Sequence, residues 1–168
     1  EEDLAVFRRL MDINVFGMAA TFAPFVPAMR AAGGAEGKMQ RLVGIASVAG
    51  IRGLPGAEAD SASKAAAIAY LESLRLEMRP YGIKVVTIAP GYIETPMTEI
   101  NPYKMPFLLP VDLAAQRFAA AIARGTSSAV VSRASCRRSK ATRSWRCADS
   151  GSARASVSNW LTRRPARS

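Results

Sequence analysis

The sequence predicts an α/β protein built on a parallel sheet, and three observations carry that prediction. Apolar residues recur at three- and four-residue spacing in three stretches, which is helical periodicity. Between them lie short, unbroken apolar runs of the kind found in strands covered on both faces. The two patterns alternate along the chain as helix, strand, helix, strand, helix, strand.

Residues 4–30 form the first expected helix, with Phe7, Leu10, Met11, Met18, Phe22 and Phe25 on one stripe and Pro24 and Pro27 set to kink or end it. Gly33, Gly34 and Gly37 then open a loop. RLVGIA (41–46) is a short strand, and GIRGLPG (50–56) is a turn-rich connection. Residues 61–79 are alanine-rich and helical, with Pro80 and Gly82 beyond as stop signals. KVVTIAP (84–90) is a second strand, β-branched and continuous. A proline- and aromatic-rich interval, 91–110, has the length of a lid or binding loop. VDLAAQRFAAAIAR (111–124) is a third helix closed by Gly125, and SSAVV (127–131) is a last short strand.

At 168 residues and 49% hydrophobic content, the chain suffices for one domain with a real core. Its opening, EEDLAVFRRL, is acidic where a secretory signal needs a basic region, and it lacks an initiating Met, so the true start is expected elsewhere. The longest uncharged run, 13–29, reads as a core helix rather than a membrane span, because it is short and carries Asn14 and two prolines. A reduced, cytoplasmic protein is expected. There is no His, and two thiols alone cannot complete a four-ligand zinc site, so no metal centre is expected.

The net charge of +10 is unevenly placed. Residues 1–128 hold 13 Lys+Arg and 12 Asp+Glu, a net of +1, whereas residues 129–168 hold 10 and 1, a net of +9. The second stretch also contains both cysteines, Cys136 and Cys147. The division expected is therefore a domain over 1–131 and a basic Arg/Ser-rich tail over 132–168. The tail lacks apolar periodicity and is expected to be disordered, or to be the translation of a GC-rich gene out of frame. Its charge allows a nucleic-acid reading, but few aromatics and no basic helix stripe weigh against one.

Four segments carry chemistry when taken together. They are N14-V-F-G, then G44-I-A-S47-V-A-G, then S61-A-S-K64-A-A, then A89-P-G-Y-I-E-T95-P. Singly, each has a plain structural explanation: Ser47 as a turn or cap residue, Asp60 as a first-turn acid, Lys64 as a surface charge. Asn14 falls on an apolar helix stripe, where its amide needs partners. In this order and spacing the four resemble the short-chain dehydrogenase/reductase family over residues 1–131.

The resemblance implies a Rossmann-type, doubly wound parallel sheet and hydride transfer between NAD or NADP and an alcohol or ketone. It assigns a proton-relay role to Asn14, substrate-oxygen binding to Ser47, and nicotinamide-ribose binding to Lys64. It lays Pro90, Gly91, Ile93 and Thr95 along the nicotinamide. Tyr92, Tyr103, Met105 and Phe107 become a substrate lid, and helices 4–30 and 61–79 become a homodimer or tetramer interface.

Two departures define what this chain is expected to lack. The family places tyrosine where Asp60 stands, one helical turn before Lys64. A tyrosine hydroxyl can give a proton to a carbonyl oxygen, whereas a carboxylate beside a cation is expected to stay ionised, with no proton to give. The second departure is that no G-x-x-x-G-x-G is present. The sheet is thus expected to be truncated at its N-terminal half by something like three βα units, leaving an apolar edge. The expected activity is accordingly that of a hydride-transfer family in a chain that does not itself turn over. The rivals are a pseudoenzyme or binding fragment, and nucleic-acid binding through the tail.

Overall fold

The computed structural model describes residues 3–33, 39–100, 105, 107–132 and, in backbone, 135–138 and 145–148. Three parallel strands form the sheet, β1 (Arg41–Ile45), β2 (Lys84–Pro90) and β3 (Ser128–Val131), in the order β1-β2-β3. Arg41 pairs with Lys84 and Thr87 with Ser128, so β2 is central. The expected parallel α/β architecture is therefore the one observed.

Helices cover both faces of β2, which explains why its sequence does not alternate. On one face lies α4 (Glu58–Met78), which buries Leu71, Leu74 and Met78 against Leu42 and Val85. On the other lies α6 (Val111–Arg124), whose Ala114 and Ala121 share a cluster with Val86, Ile88, Leu109 and Val131. A side chain at Gly44 would collide with Leu71, with a Cβ built there only 2.4 Å from Cδ1, so the glycine lets α4 lie close on β1. Arg75 of α4 ties the layers together by donating to the Val85 carbonyl at 3.0 Å and to Thr87 Oγ1 at 2.7 Å.

The N-terminal helical run differs from expectation in two respects. It comprises α1 (Leu4–Met11), a wide π-turn (Asp12–Phe16), α2 (Gly17–Phe22) and α3 (Phe25–Ala32). Its inner stripe is Met18, Phe22, Val26 and Met29, packed on the α4 cluster, whereas Phe25 faces solvent at 60% exposure. Leu4, Val6, Ile13 and Phe16 are also exposed, so this is not the core helix that apolar content implied. Counted through its turns, the run from Leu4 to Ala32 is 29 residues, long and apolar enough to cross a membrane, and 6% of its most apolar window is buried. Length alone is weak ground for a span, since core helices and signal sequences share it.

Two short strands, β4 (Ser135–Arg138) and β5 (Trp145–Ala148), pair antiparallel, with Cys136 and Cys147 as register partners. The rest of residues 132–168, on which the expectation of a disordered or out-of-frame tail falls, lies largely outside the described residues.

Candidate active site

The site is assembled at the N-terminal end of α4, where the π-turn crosses it. Helical spacing puts residues 60, 63, 64 and 67 on one side of α4, and Ser63 and Ala67 are fully buried there. Asn14 lies in the middle of the π-turn, a distortion often found at functional positions. Lys64 Nζ donates to Asn14 Oδ1 at 3.0 Å, and Asn14 Nδ2 donates to Ser63 Oγ at 3.0 Å. Ser63 Oγ in turn donates to the Asp60 backbone carbonyl at 3.0 Å. Two of the residues expected to act together, Asn14 and Lys64, are therefore in direct contact across 50 positions of chain.

Asp60 behaves otherwise than expected. The ammonium of Lys64 is bonded to Asn14, and Asp60 and Lys64 form no ion pair, although they sit one turn apart. Asp60 is a half-buried first-turn acid of α4, and its part in the network is its main-chain carbonyl. The family proton donor would stand at this position, and its side chain here takes no part in the bonded chain.

Ser47 follows β1 and caps the short 3-10 turn Val48–Gly50, its Oγ accepting from Ala49 N at 3.1 Å. That turn rests on α4 at the site itself. A Cβ at Gly50 would lie 2.6 Å from the Lys64 carbonyl carbon and 2.8 Å from Ala65 N, so glycine is required for the close approach. Ser61 secures the next loop, with its Oγ accepting from Leu54 N at 3.2 Å. Ser47 and Lys64 thus belong to abutting segments, with no bond between them.

Beyond β2 the chain turns at Pro90-Gly91, and Gly91 N donates to the Val131 carbonyl at 2.8 Å. Gly91 also lies against Ser132, whose Cβ would be 3.0 Å from an added methyl. The 91–110 interval folds back on itself: Ile93 bridges Leu109, Glu94 N donates to the Leu109 carbonyl, and Leu109 N donates to the Tyr92 carbonyl. Thr95 caps α5 (Pro96–Glu99) through a reciprocal box with Thr98. Of the expected lid residues, Tyr92 and Met105 are half-buried, and Phe107 is exposed with φ at 64°, a strained conformation for an aromatic residue. Tyr103 lies outside the described residues.

Ser63 is the residue that sequence reasoning passed over. It lies inside the quoted S61-A-S-K64 segment, and its signal was its place, three residues after Asp60 on the buried side of α4.

Comparison with known proteins gives this geometry its context. The short chain dehydrogenase family model matches residues 1–104. The chain belongs to that family. A short chain dehydrogenase of Burkholderia cenocepacia J2315, solved in complex with NADP, superposes with TM-score 0.65 at 29% identity, over 77% of this chain and 51% of that one. One from Streptomyces avermitilis gives TM-score 0.51 at 34% identity, over 56% of this chain and 33% of its own. An uncharacterized oxidoreductase of Myxococcus xanthus (strain DK1622) is 41% identical over 62 residues, 37% of this chain and 24% of the relative. The chain therefore spans about a quarter of that curated relative and, at most, about half of these solved neighbours.

The residues present fit one end of a nicotinamide dinucleotide. Lys64 spends one of its three N–H donors on Asn14, which leaves two for further acceptors. Among the described residues there is no Gly-rich turn opening a helix to cradle a pyrophosphate.

Proposed function

We propose that this chain is the catalytic-segment half of an NAD(P)-dependent alcohol/ketone oxidoreductase, with a nicotinamide-ribose site at Lys64 and no turnover of its own. The Lys64–Asn14 hydrogen bond carries this reading, because it unites two separately placed motif residues at one point. When bound, the nicotinamide supplies or accepts the hydride at the alcohol or carbonyl carbon. The chain's own task is to hold the ribose with Lys64, to hold the substrate oxygen with Ser47, and to flank the nicotinamide with Pro90, Gly91, Ile93 and Thr95. The proton for that oxygen has no donor, since position 60 carries a carboxylate instead of a hydroxyl.

A soluble, cytoplasmic setting accords with the inner stripe of the N-terminal helices packing on α4. Exposed Leu4, Val6, Ile13 and Phe16 favour a second copy docking along residues 4–30 and 61–79.

Titration with NADPH and NADH, read by cofactor fluorescence, tests the binding half. Saturable binding is expected, and Lys64→Met should weaken it about 10-fold or more, the value of a charge-assisted hydrogen bond. Absence of saturation with either cofactor overturns the site. The catalytic half is tested by ketone reduction. This chain should show none, and Asp60→Tyr should raise the rate by about 10²–10⁴-fold only in a longer protein that also carries a Gly-rich dinucleotide loop.

A further inference from the structure

We infer that Ser63 is a positioning residue that fixes which end of the Asn14 amide faces Lys64. The inference rests on the site proposed above, yet it concerns only this chain's own side chains.

The three hydrogen bonds form a directed series in which every member donates to the next. Lys64 gives a proton to Asn14 Oδ1, Asn14 Nδ2 gives one to Ser63 Oγ, and Ser63 gives its single hydroxyl proton to the Asp60 carbonyl. An asparagine amide has nearly the same shape either way round, so packing alone does not choose its orientation. Lys64, which can only donate, favours the Oδ1 end from its side, and Ser63 fixes the Nδ2 end from the other. The Ser63 proton is committed to a main-chain carbonyl three residues back, a common arrangement for serine in a helix. Its oxygen therefore faces Asn14 only as an acceptor, and it selects the Nδ2 end.

That selection leaves Oδ1 on the far side, as the acceptor that the Lys64 ammonium needs. The opposite orientation would set the amide N–H groups against an ammonium, donor to donor. Ser63 is fully buried, so water does not compete for its hydroxyl, while Asn14 and Lys64 are half-buried. The series also ends on the backbone of residue 60 rather than its side chain, so it is indifferent to what residue 60 carries.

The consequence is that Lys64 is held in one place by a residue that touches neither cofactor nor substrate. Alanine at 63 would leave the half-buried amide held from the Lys64 side alone, and the ammonium with a less firmly fixed acceptor. An aspartate at 14 would offer Lys64 an acceptor whichever way it lies, because both of its oxygens accept.

The test is reductive methylation of the full chain without cofactor, followed residue by residue by mass spectrometry. Exposed Lys84 serves as the internal reference. Ser63→Ala should speed Lys64 methylation relative to Lys84 by about 2- to 10-fold, the factor for one lost hydrogen bond. In an Asn14→Asp background the same Ser63→Ala change should have no effect. An unchanged Lys64 rate in a folded Ser63→Ala protein overturns the inference, as does an equal acceleration in both backgrounds. Should Ser63→Ala fail to fold by circular dichroism, Ser63→Cys, close in size but a weaker hydrogen-bonding group, should give a smaller acceleration, and none overturns the inference. Because no dinucleotide is present, failure of cofactor binding would leave this result untouched.

Discussion

The first turns of α4 and the turns that follow them are two halves of one helix, buried on the same side by different means. From Leu71 to Met78 the buried face is apolar and packs on β1 and β2. From Ser61 to Lys64 it is polar, and its groups are paired with Leu54, Asn14 and the Asp60 carbonyl. The apolar half stabilises by removing area from water, without regard to direction. The polar half contributes little net stability, because each hydrogen bond replaces one to water. What it provides is direction, since each donor must meet an acceptor at one angle. The same helix thus anchors the fold with one half and aims a lysine with the other.

The largest expected effect lies in the apolar half. Leu71→Ala removes a fully buried side chain that fills the space above Gly44, and it should cost about 2–5 kcal/mol in denaturant unfolding. A cost below about 1 kcal/mol would erase the contrast between the two halves.

Next is the junction where the Ser47 turn meets the polar half. Gly50→Ala places a methyl 2.6 Å from the main chain of Lys64, whose backbone atoms cannot swing aside as a side-chain end would. It should cost about 1–3 kcal/mol. It should also weaken NADPH binding, because Lys64 moves with its backbone. An unaltered protein would show that the turn does not press on the site.

At the far end of α4, Glu77 pairs with Arg30 at 3.5 Å while 62% exposed, and Arg30 also lies over the Tyr81 ring at 5.1 Å. Screening by solvent reduces such a pair, so Glu77→Gln should change stability by less than about 1 kcal/mol. A larger loss would mean that the exposed side of α4 holds the N-terminal helices more strongly than its buried side implies.

The smallest effect is a pH dependence. Burial first, and the Glu77 carboxylate second, raise the Tyr70 hydroxyl above its ordinary value of 10.0. The folded state then keeps that proton longer than the unfolded chain. The stability it contributes is present below the unfolded value and is lost as pH rises through the higher folded one. Unfolding midpoints measured across that alkaline range should fall in the wild type and fall less in Tyr70→Phe, whose ring keeps its stacking on Phe22 at 6.4 Å.

Much of this is legible in the sequence. β2 at 84–90 and α6 at 111–124 run as their patterns indicated, because β-branched continuity and a 3.6-residue repeat closed by Gly125 are local signals. Asn14 and Lys64 stood out as motif residues. Phe25 was misassigned because a stripe read through Pro24 ignores the break that Ala23 and Pro24 introduce, which turns the next helix's apolar face. The Asp60–Lys64 pairing was overread because one-turn spacing permits a contact without requiring it. Ser63 was hidden because its partners lie at position 14 and on a main-chain carbonyl, neither of which leaves a pattern around it.

By itself, then, the sequence determined the alternation of helices and strands, the family, and the presence of aspartate where that family carries tyrosine. These follow from residue identity, periodicity and spacing, which are properties of the chain one segment at a time. Only the tertiary structure decided which acceptor Lys64 holds, which serine directs Asn14, and why Gly50 must be a glycine. Those are matters of hydrogen-bond direction and close approach between segments distant in the chain, and they exist only once the π-turn and the Ser47 turn are packed against α4.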